Sequence, residues 1–218
     1  MRTFIKNAHI VSPGIEIAQG FVVIEDDKIV SVGSGDANAP VGAEVIDANG
    51  KLVVPGFVDV HCHGRNNFDF CDGSADGVRT ILEGKLAEGV TTVLPTTLTL
   101  SEEELTASLK SVADCDKNGV CRVPGVHLEG PYINPKSAGA QNPAYVRLPD
   151  VAEVDRLNAV YPVSKITYAV EQEGGKSLLL RCSAAVLLRP VLTALQNMGI
   201  LSLHIIQVYA TFHTSAIR

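Results

Sequence analysis

From Phe57 to Val170, short apolar runs alternate with stretches of helical period: FVDVHCH, SADGVRTILEGKLAEG, VTTVLPTTLT, SEEELTASLKSVADCDKNG, VCRVPGVHLEG, VAEVDRLNAVY and SKITYAV. This alternation predicts βα units, whose strands lie parallel in one sheet or barrel. Ser101 followed by Glu104 has the capping-box spacing, and Gly89 and Gly119 stand where the first two helices should end. Residues 1–56 read differently. TFIKNAHIV, GFVVIEDDKIVSVG and AEVIDANGKLVVPG are rich in β-branched residues, are punctuated by Gly, Asn and Asp, and place Asp26-Asp27 at a turn. They predict a small all-β, sandwich-like lobe. The expected fold class is therefore α/β, a parallel sheet or barrel preceded by that lobe. A complete (β/α)8 barrel of the TIM type takes about 250 residues. Only 162 run from Phe57 to Arg218, with four clear strands, so the barrel is expected to be incomplete.

A barrel of this kind carries its chemistry at the carboxyl ends of the strands. His61 and His63 end the first of them, one residue apart, and alternation on a strand points both to one side. His127 and Glu129 end the third with the same spacing. Imidazole nitrogens with a carboxylate suit zinc, iron or cobalt better than magnesium or calcium. A bound metal with an open position lowers the pKa of its water to about 7 and so generates a nucleophile. His61, His63 and Glu129 are the candidate ligands. Against them stand blander readings: a His-x-His pair arises often by chance, and Glu129 could be an ordinary carboxylate at a loop edge. His127, deeper than Glu129, reads as a hydrogen-bonded interior histidine. Cys62 points away from the histidine pair, while Asp59 is expected on their face but deeper, as a supporting hydrogen-bonder.

Composition excludes some other functions. A net charge of −6 leaves no nucleic-acid footprint, and MRTFIKNAHIVSPG has no apolar core of a secretory signal. Five cysteines without a CxxC pair read as free thiols in a reducing cytosol, so a cytoplasmic location without membrane association is expected.

PGFVDVHCHG resembles the first-strand metal motif of the amidohydrolase superfamily. GVTTVLPTTLT and GVHLEGPYINPKSAGAQNPAYVR resemble the N-acetylglucosamine-6-phosphate deacetylases. The stretch from HLEGP to NPAYVR is the specific part, since the histidine pair alone would admit dihydroorotases and hydantoinases. The resemblance implies hydrolysis of the N-acetyl group of an amino-sugar phosphate, with Glu129 as the carboxylate ligand and His61 and His63 as the first-strand ligands. It implies one or two divalent ions (zinc, iron or cobalt) and a homodimer for the complete family member. Ala140 and Gln141 fall where the family contacts the sugar, and Gln141 replaces a histidine found in many members. The family's catalytic aspartate, its two later histidine ligands and its phosphate-binding arginine and histidine have no counterpart in this sequence.

The resemblance stops near Gly175. All 24 acidic residues lie at or before Glu173, and none falls in the 45 residues from Gly174 to Arg218. At the density of the preceding chain about six would be expected there. An apolar helix or a membrane span is a poor description of this tail, because Arg189-Pro190 breaks it and Gln196, Asn197, His204 and Gln207 interrupt it. His204 and His213 follow no strand-end pattern and are not taken as ligands. Residues 176–218 are instead expected to be translated out of frame. The codon junctions from Arg189 to Ala194 permit Ser-Cys-Ala-His-Ser, and those from Gln207 to Ile217 permit Gly-Ile-Arg-His-Leu-Ser-His-Leu-Cys-Asn. These resemble the family's two missing histidine motifs. The 218-residue chain is accordingly expected to be inactive. The alternatives are another amidohydrolase acting on a cyclic amide and a non-catalytic remnant.

Overall fold

The computed structural model describes residues 1–185 and 206–209. The chain divides into two compact units, Met1–Gly56 and Phe57–Arg218.

In the first unit, β1 (Arg2–Ser12), β2 (Ile15–Glu25), β3 (Lys28–Ser34), β4 (Glu44–Asp47) and β5 (Leu52–Val53) form one five-stranded sheet. β1, β2 and β3 are an antiparallel meander, while β4 and β5 each run parallel to β1. The Asp26-Asp27 turn joins β2 to β3, with Asp26 at φ 53°. The stretch from Ala43 to Gly56 holds two short strands. Asn49 (φ 49°) and Gly50 (φ 73°) take left-handed backbone between them, which Asn and Gly tolerate best. Ala8, Ile10, Val22 and Ala48 make the small core of this unit.

The second unit begins with β6 (Phe57–Cys62) and a short hairpin of β7 (Gly64–Arg65) and β8 (Phe68–Asp69). α1 (Ala75–Leu86), β9 (Val90–Pro95), α2 (Glu102–Asp114), β10 (Val126–Glu129), α3 (Val151–Val160) and β11 (Val163–Tyr168) follow, then α4 (Gly175–Ala185) and β12 (Ile206–Tyr209). β6 pairs parallel with β9 and β10 with β11. Parallel bridges from Thr92 to Arg122 and from Thr96 to His127 join the two pairs. The parallel strands thus lie side by side in sequence order, as successive βα units require. β12 pairs antiparallel with β11.

Local sequence explains the helix ends. The Ser101 hydroxyl and the Glu104 carboxylate close a capping box at the start of α2, and Ser74 and Asp150 cap α1 and α3. Gly89 (φ 84°) turns the chain out of α1 into β9, its N–H bonded to the Leu86 carbonyl at 2.9 Å. Gly119 has no such role. α2 stops at Asp114, where Cys115 turns extended and Lys117 Nζ donates to the Cys115 carbonyl at 3.1 Å. The apolar faces of α1, α2 and α3 (Ile81, Leu82, Leu105, Leu109, Val154, Leu157) pack with Val93, Val126, Leu128 and Ile166 of the strands into one core. At about 25 cal/mol per Å2 of apolar surface, this burial is the main source of stability.

The 130–150 segment is folded, with 3₁₀ turns at Pro135–Ser137 and Pro143–Tyr145. Arg147 ties it down, donating to the Leu100 and Tyr145 carbonyls at 2.8 and 2.9 Å and to Glu153 Oε2 at 3.0 Å. Of the expected out-of-frame tail, α4 runs to Ala185 and β12 covers four residues; His204 and His213 lie outside the described residues. Among the described residues, no helix is long and apolar enough to cross a membrane.

Candidate metal centre

His61 and Glu129 sit at the carboxyl ends of β6 and β10, and His63 immediately follows β6. His63 Nε2 lies 3.0 Å and His61 Nε2 3.5 Å from Glu129 Oε2, and the two imidazole nitrogens are 3.2 Å apart. Three donors bonded at about 2 Å to one tetrahedral ion stand about 3.3 Å from each other. The observed triangle has that size. Glu129 Oε2 is buried and makes no hydrogen bond of acceptable geometry, although His63 Nε2 is so near. A buried carboxylate oxygen without such a bond is costly unless another group occupies its lone pair. The donor set, two nitrogens and one oxygen, is that of a zinc, iron or cobalt site.

The neighbouring contacts orient these donors. His63 Nδ1 lies 3.2 Å from the Thr96 carbonyl, an acceptor, so Nδ1 carries the proton and a neutral ring leaves its Nε2 lone pair toward the cluster. The Glu129 backbone N–H donates to Thr97 Oγ1 at 3.2 Å, which fixes the end of β10 against the end of β9. Gly130 follows at φ 72°, and a Cβ there would come within 2.1 Å of Thr99 Oγ1. The main chain could not leave the site by this path with any other residue.

Charge and burial oppose each other here. Burial raises the Glu129 carboxyl, but His63, His61 and His127 together outweigh it and hold the group below its ordinary range. His63 is raised, chiefly by its contact with Glu129. His127 behaves oppositely. It is fully buried, and burial followed by the charge of Lys165 pushes it down to about 3. Both its nitrogens are engaged, Nε2 with Thr167 Oγ1 at 2.7 Å and Nδ1 with Thr96 Oγ1 at 3.3 Å. It is a neutral interior histidine whose ring meets that of His61 edge to face, with centroids 5.0 Å apart.

Asp59 does not share the face of the two histidines. Its carboxylate meets Lys85 of α1 at 2.9 Å on the helical side, where Cys62 is also buried. The reason is an irregularity in β6. Asp59 is paired with Val93 and Cys62 with Pro95, so Val60 and His61 together stand opposite the single residue Leu94. That two-against-one count is a β-bulge, and it shifts the alternation by one residue between Asp59 and His61.

Gln141 folds back toward the same end of the sheet, its Oε1 accepting the Thr99 N–H at 2.7 Å, and Ala140 beside it is exposed. The sequence reading passed over Lys165, which is 1 % exposed in β11 and lies opposite His127 in the register. Nothing in SKITY gives this away, since alternation sets Lys165 on the face of Thr167, opposite Ile166 and Tyr168, which is the face a half-buried strand turns to solvent.

No protein-family model matches the chain. An N-acetylgalactosamine-6-phosphate deacetylase of Escherichia coli O157:H7 is 34% identical over 155 residues, 68% of this chain and 41% of that protein. An N-acetylglucosamine-6-phosphate deacetylase of Bacillus subtilis is 31% identical over 153 residues, 67% of this chain and 38% of that protein. Among solved structures, N-acetyl-D-glucosamine-6-phosphate deacetylase of Mycobacterium smegmatis, in complex with N-acetyl-D-glucosamine-6-phosphate, superposes with TM-score 0.72 at 26% identity. It covers 84% of this chain and 47% of its own. The enzyme of Thermotoga maritima gives TM-score 0.67 at 32% identity, over 84% of this chain and 46% of its own. The chain thus spans less than half the length of these relatives. In sequence and in fold, it is a homologue of the N-acetylglucosamine-6-phosphate deacetylases over part of their length.

Proposed function

We propose that residues 57–175 are the first half of an amidohydrolase (β/α)8 barrel and residues 1–56 its amino-terminal β lobe, in a chain built to deacetylate an amino-sugar 6-phosphate. The observation that carries this reading is the cluster of His61, His63 and Glu129, with ligand atoms all within 4.8 Å of one another at strand ends. These three residues would hold a divalent zinc, iron or cobalt ion. Such an ion supplies Lewis acidity toward an acyl oxygen and a hydroxide nucleophile near neutral pH.

The chain's own groups have separable tasks. His61 and His63 present nitrogen donors from β6, and Glu129 presents a carboxylate kept ionised by the imidazoles around it. Gln141 and Ala140 are placed at the substrate. Since Gln141 Oε1 is occupied by the Thr99 N–H, the group it has left to offer a ligand is its Nε2 amide, a donor suited to a sugar or phosphate oxygen. None of the three groups of the cluster is free to carry a proton between nucleophile and leaving amine once it holds a metal, so that task would fall to a group outside the cluster. On this reading the chain's own three ligands suffice to bind metal.

The kinship to deacetylases, at TM-scores of about 0.7, favours an acetamido sugar over a cyclic amide as substrate. Which hexosamine epimer it takes is set by contacts beyond the metal centre. The test is a metal analysis of the purified chain combined with an acetate-release assay on both phosphosugars. Stoichiometric zinc or cobalt without acetate release is the expected outcome. Absence of bound metal would defeat the reading of the centre, and acetate release would defeat the reading of the chain as inactive.

A further inference from the structure

The bulge in β6 frees two backbone groups near the histidine pair, the carbonyl of Val60 and the N–H of His61. Backbone groups removed from a ladder must find other partners, and here both do so through charged side chains. The His61 N–H donates to Asp59 Oδ1 at 3.1 Å, and the other oxygen of that carboxylate accepts from Lys85 Nζ at 2.9 Å. The Val60 carbonyl accepts from Lys165 Nζ at 3.4 Å, reached from β11, with β9 and β10 lying between β11 and β6 in the sheet order. One contact therefore comes from the helical side of the sheet and the other from its interior side, and they hold the two ends of one peptide group, the one that joins Val60 to His61.

We propose that Asp59, anchored by Lys85, and Lys165 are positioning residues that set the bulge and thereby aim His61 and His63 at Glu129. The proposal rests on the reading of the cluster as a metal centre. Without the bulge, strict alternation would send the Asp59 side chain to the histidine face. With it, Asp59 turns to α1 while the two imidazole nitrogens close to 3.2 Å. Lys165 is nearly inaccessible, and burying an ammonium is costly unless it answers a specific acceptor. The Val60 carbonyl is such an acceptor, two peptide units before Cys62 and directly before the ligand His61.

The experiment titrates the full chain with Co(II), following both affinity and the visible d–d band, with far-UV circular dichroism to establish folding. Lys165→Met and Asp59→Ala are expected to weaken cobalt binding about tenfold to a hundredfold, the range for residues that orient ligands, and to alter the band. Asp59→Asn, which keeps an oxygen for the His61 N–H but gives up the acceptor for Lys85, is expected to recover part of the loss. Lys110→Met, which removes an exposed ion pair with Asp114 on α2, is expected to change neither affinity nor band. If Lys165→Met fails to fold, the comparison of Asp59→Ala with Asp59→Asn decides the matter. Wild-type affinity and band in the folded variants would overturn the proposal, as would an Asp59→Asn protein no better than Asp59→Ala. A wild-type chain that binds no cobalt would overturn the metal-centre reading itself, and this proposal with it.

Discussion

Glu129 Oε2 and His63 Nε2 stand 3.0 Å apart in an orientation that makes no acceptable hydrogen bond. With His61 they point inward at a common centre, as metal ligands do and as an ion pair need not. Replacing Glu129 by Gln keeps the shape and removes the charge. Cobalt affinity should fall by more than the hundredfold typical of a ligand's supporting partners, while the circular dichroism spectrum is retained. An isothermal titration of wild type against E129Q reads this directly, and equal affinities would show that the carboxylate is no ligand.

His127 makes acid stability a second test. Burial, then the charge of Lys165, lowers its pKa to about 3 in the folded chain from 6.5 in the ordinary group. Between those values the unfolded chain binds the extra proton and the folded chain does not. Stability contributed by the neutral form is therefore complete above about pH 6.5 and lost as pH falls toward 3. The slope is at most about 1.4 kcal/mol per pH unit. Urea unfolding of the metal-free chain at pH 7 and pH 5 should show about 2 kcal/mol of loss that a His127→Gln variant does not share. Parallel losses in the two proteins would mean that His127 is not the titrating group.

These residues also mark how far the sequence could be read. The βα alternation, the capping box at Ser101 and Glu104, and the juxtaposition of His61, His63 and Glu129 were legible because each rests on local period or spacing. The interior place of His127 followed from its depth below Glu129 on one strand. Asp59 was misplaced because a bulge lengthens one strand against its neighbour. Nothing within VDVHCHG signals it, since bulges are settled by what faces each freed peptide group. The His61 N–H meets Asp59, held in turn by Lys85 on α1, 26 residues on, and the Val60 carbonyl meets Lys165, 105 residues away. Lys165 itself was passed over for the same reason: its acceptor is a backbone carbonyl, which carries no signature in sequence. The early end of α2 depends likewise on a lysine reaching back to close carbonyls, where Gly119 offered the more familiar stop signal.

The ion pair of Arg147 and Glu153 supplies a third prediction. Glu153 is 5% exposed and Arg147 29%, and Arg147 also donates to the Leu100 carbonyl from within the 130–150 segment. Replacing Arg147 by Met leaves the carboxylate buried without its partner. Losing one partner of a fully buried pair costs about 3–5 kcal/mol. Because Arg147 is partly exposed and screened, the loss here should be nearer 2 kcal/mol. The segment bearing Ala140 and Gln141 should then open to proteolysis between Tyr132 and Asp150 while the core stays protected. Unchanged cleavage kinetics would show that the two 3₁₀ turns hold the segment without Arg147.

The cysteines give a prediction that separates burial from redox chemistry. Cys62, Cys71, Cys115 and Cys121 are free thiols, and burial is the leading cause that raises each of them, Cys71 to about 12. The thiolate is the reactive species, so a raised pKa keeps the population able to react very small at neutral pH. Iodoacetamide at pH 8 should leave these four unmodified in the folded chain and label them all in guanidinium, as read by peptide mass spectrometry. Cys71 should be the last to react as pH rises, since burial pushes its thiol up to about 12 even against the Leu98 N–H, which donates to its Sγ at 3.3 Å and favours the thiolate. Cys62 is the informative member, lying between the two histidines in sequence yet on the opposite side of the strand. If Cys62 were labelled at pH 8 and protected by added cobalt, it would face the metal centre after all, and its place on the helical side of β6 beside Lys85 and Asp59 would have to be abandoned.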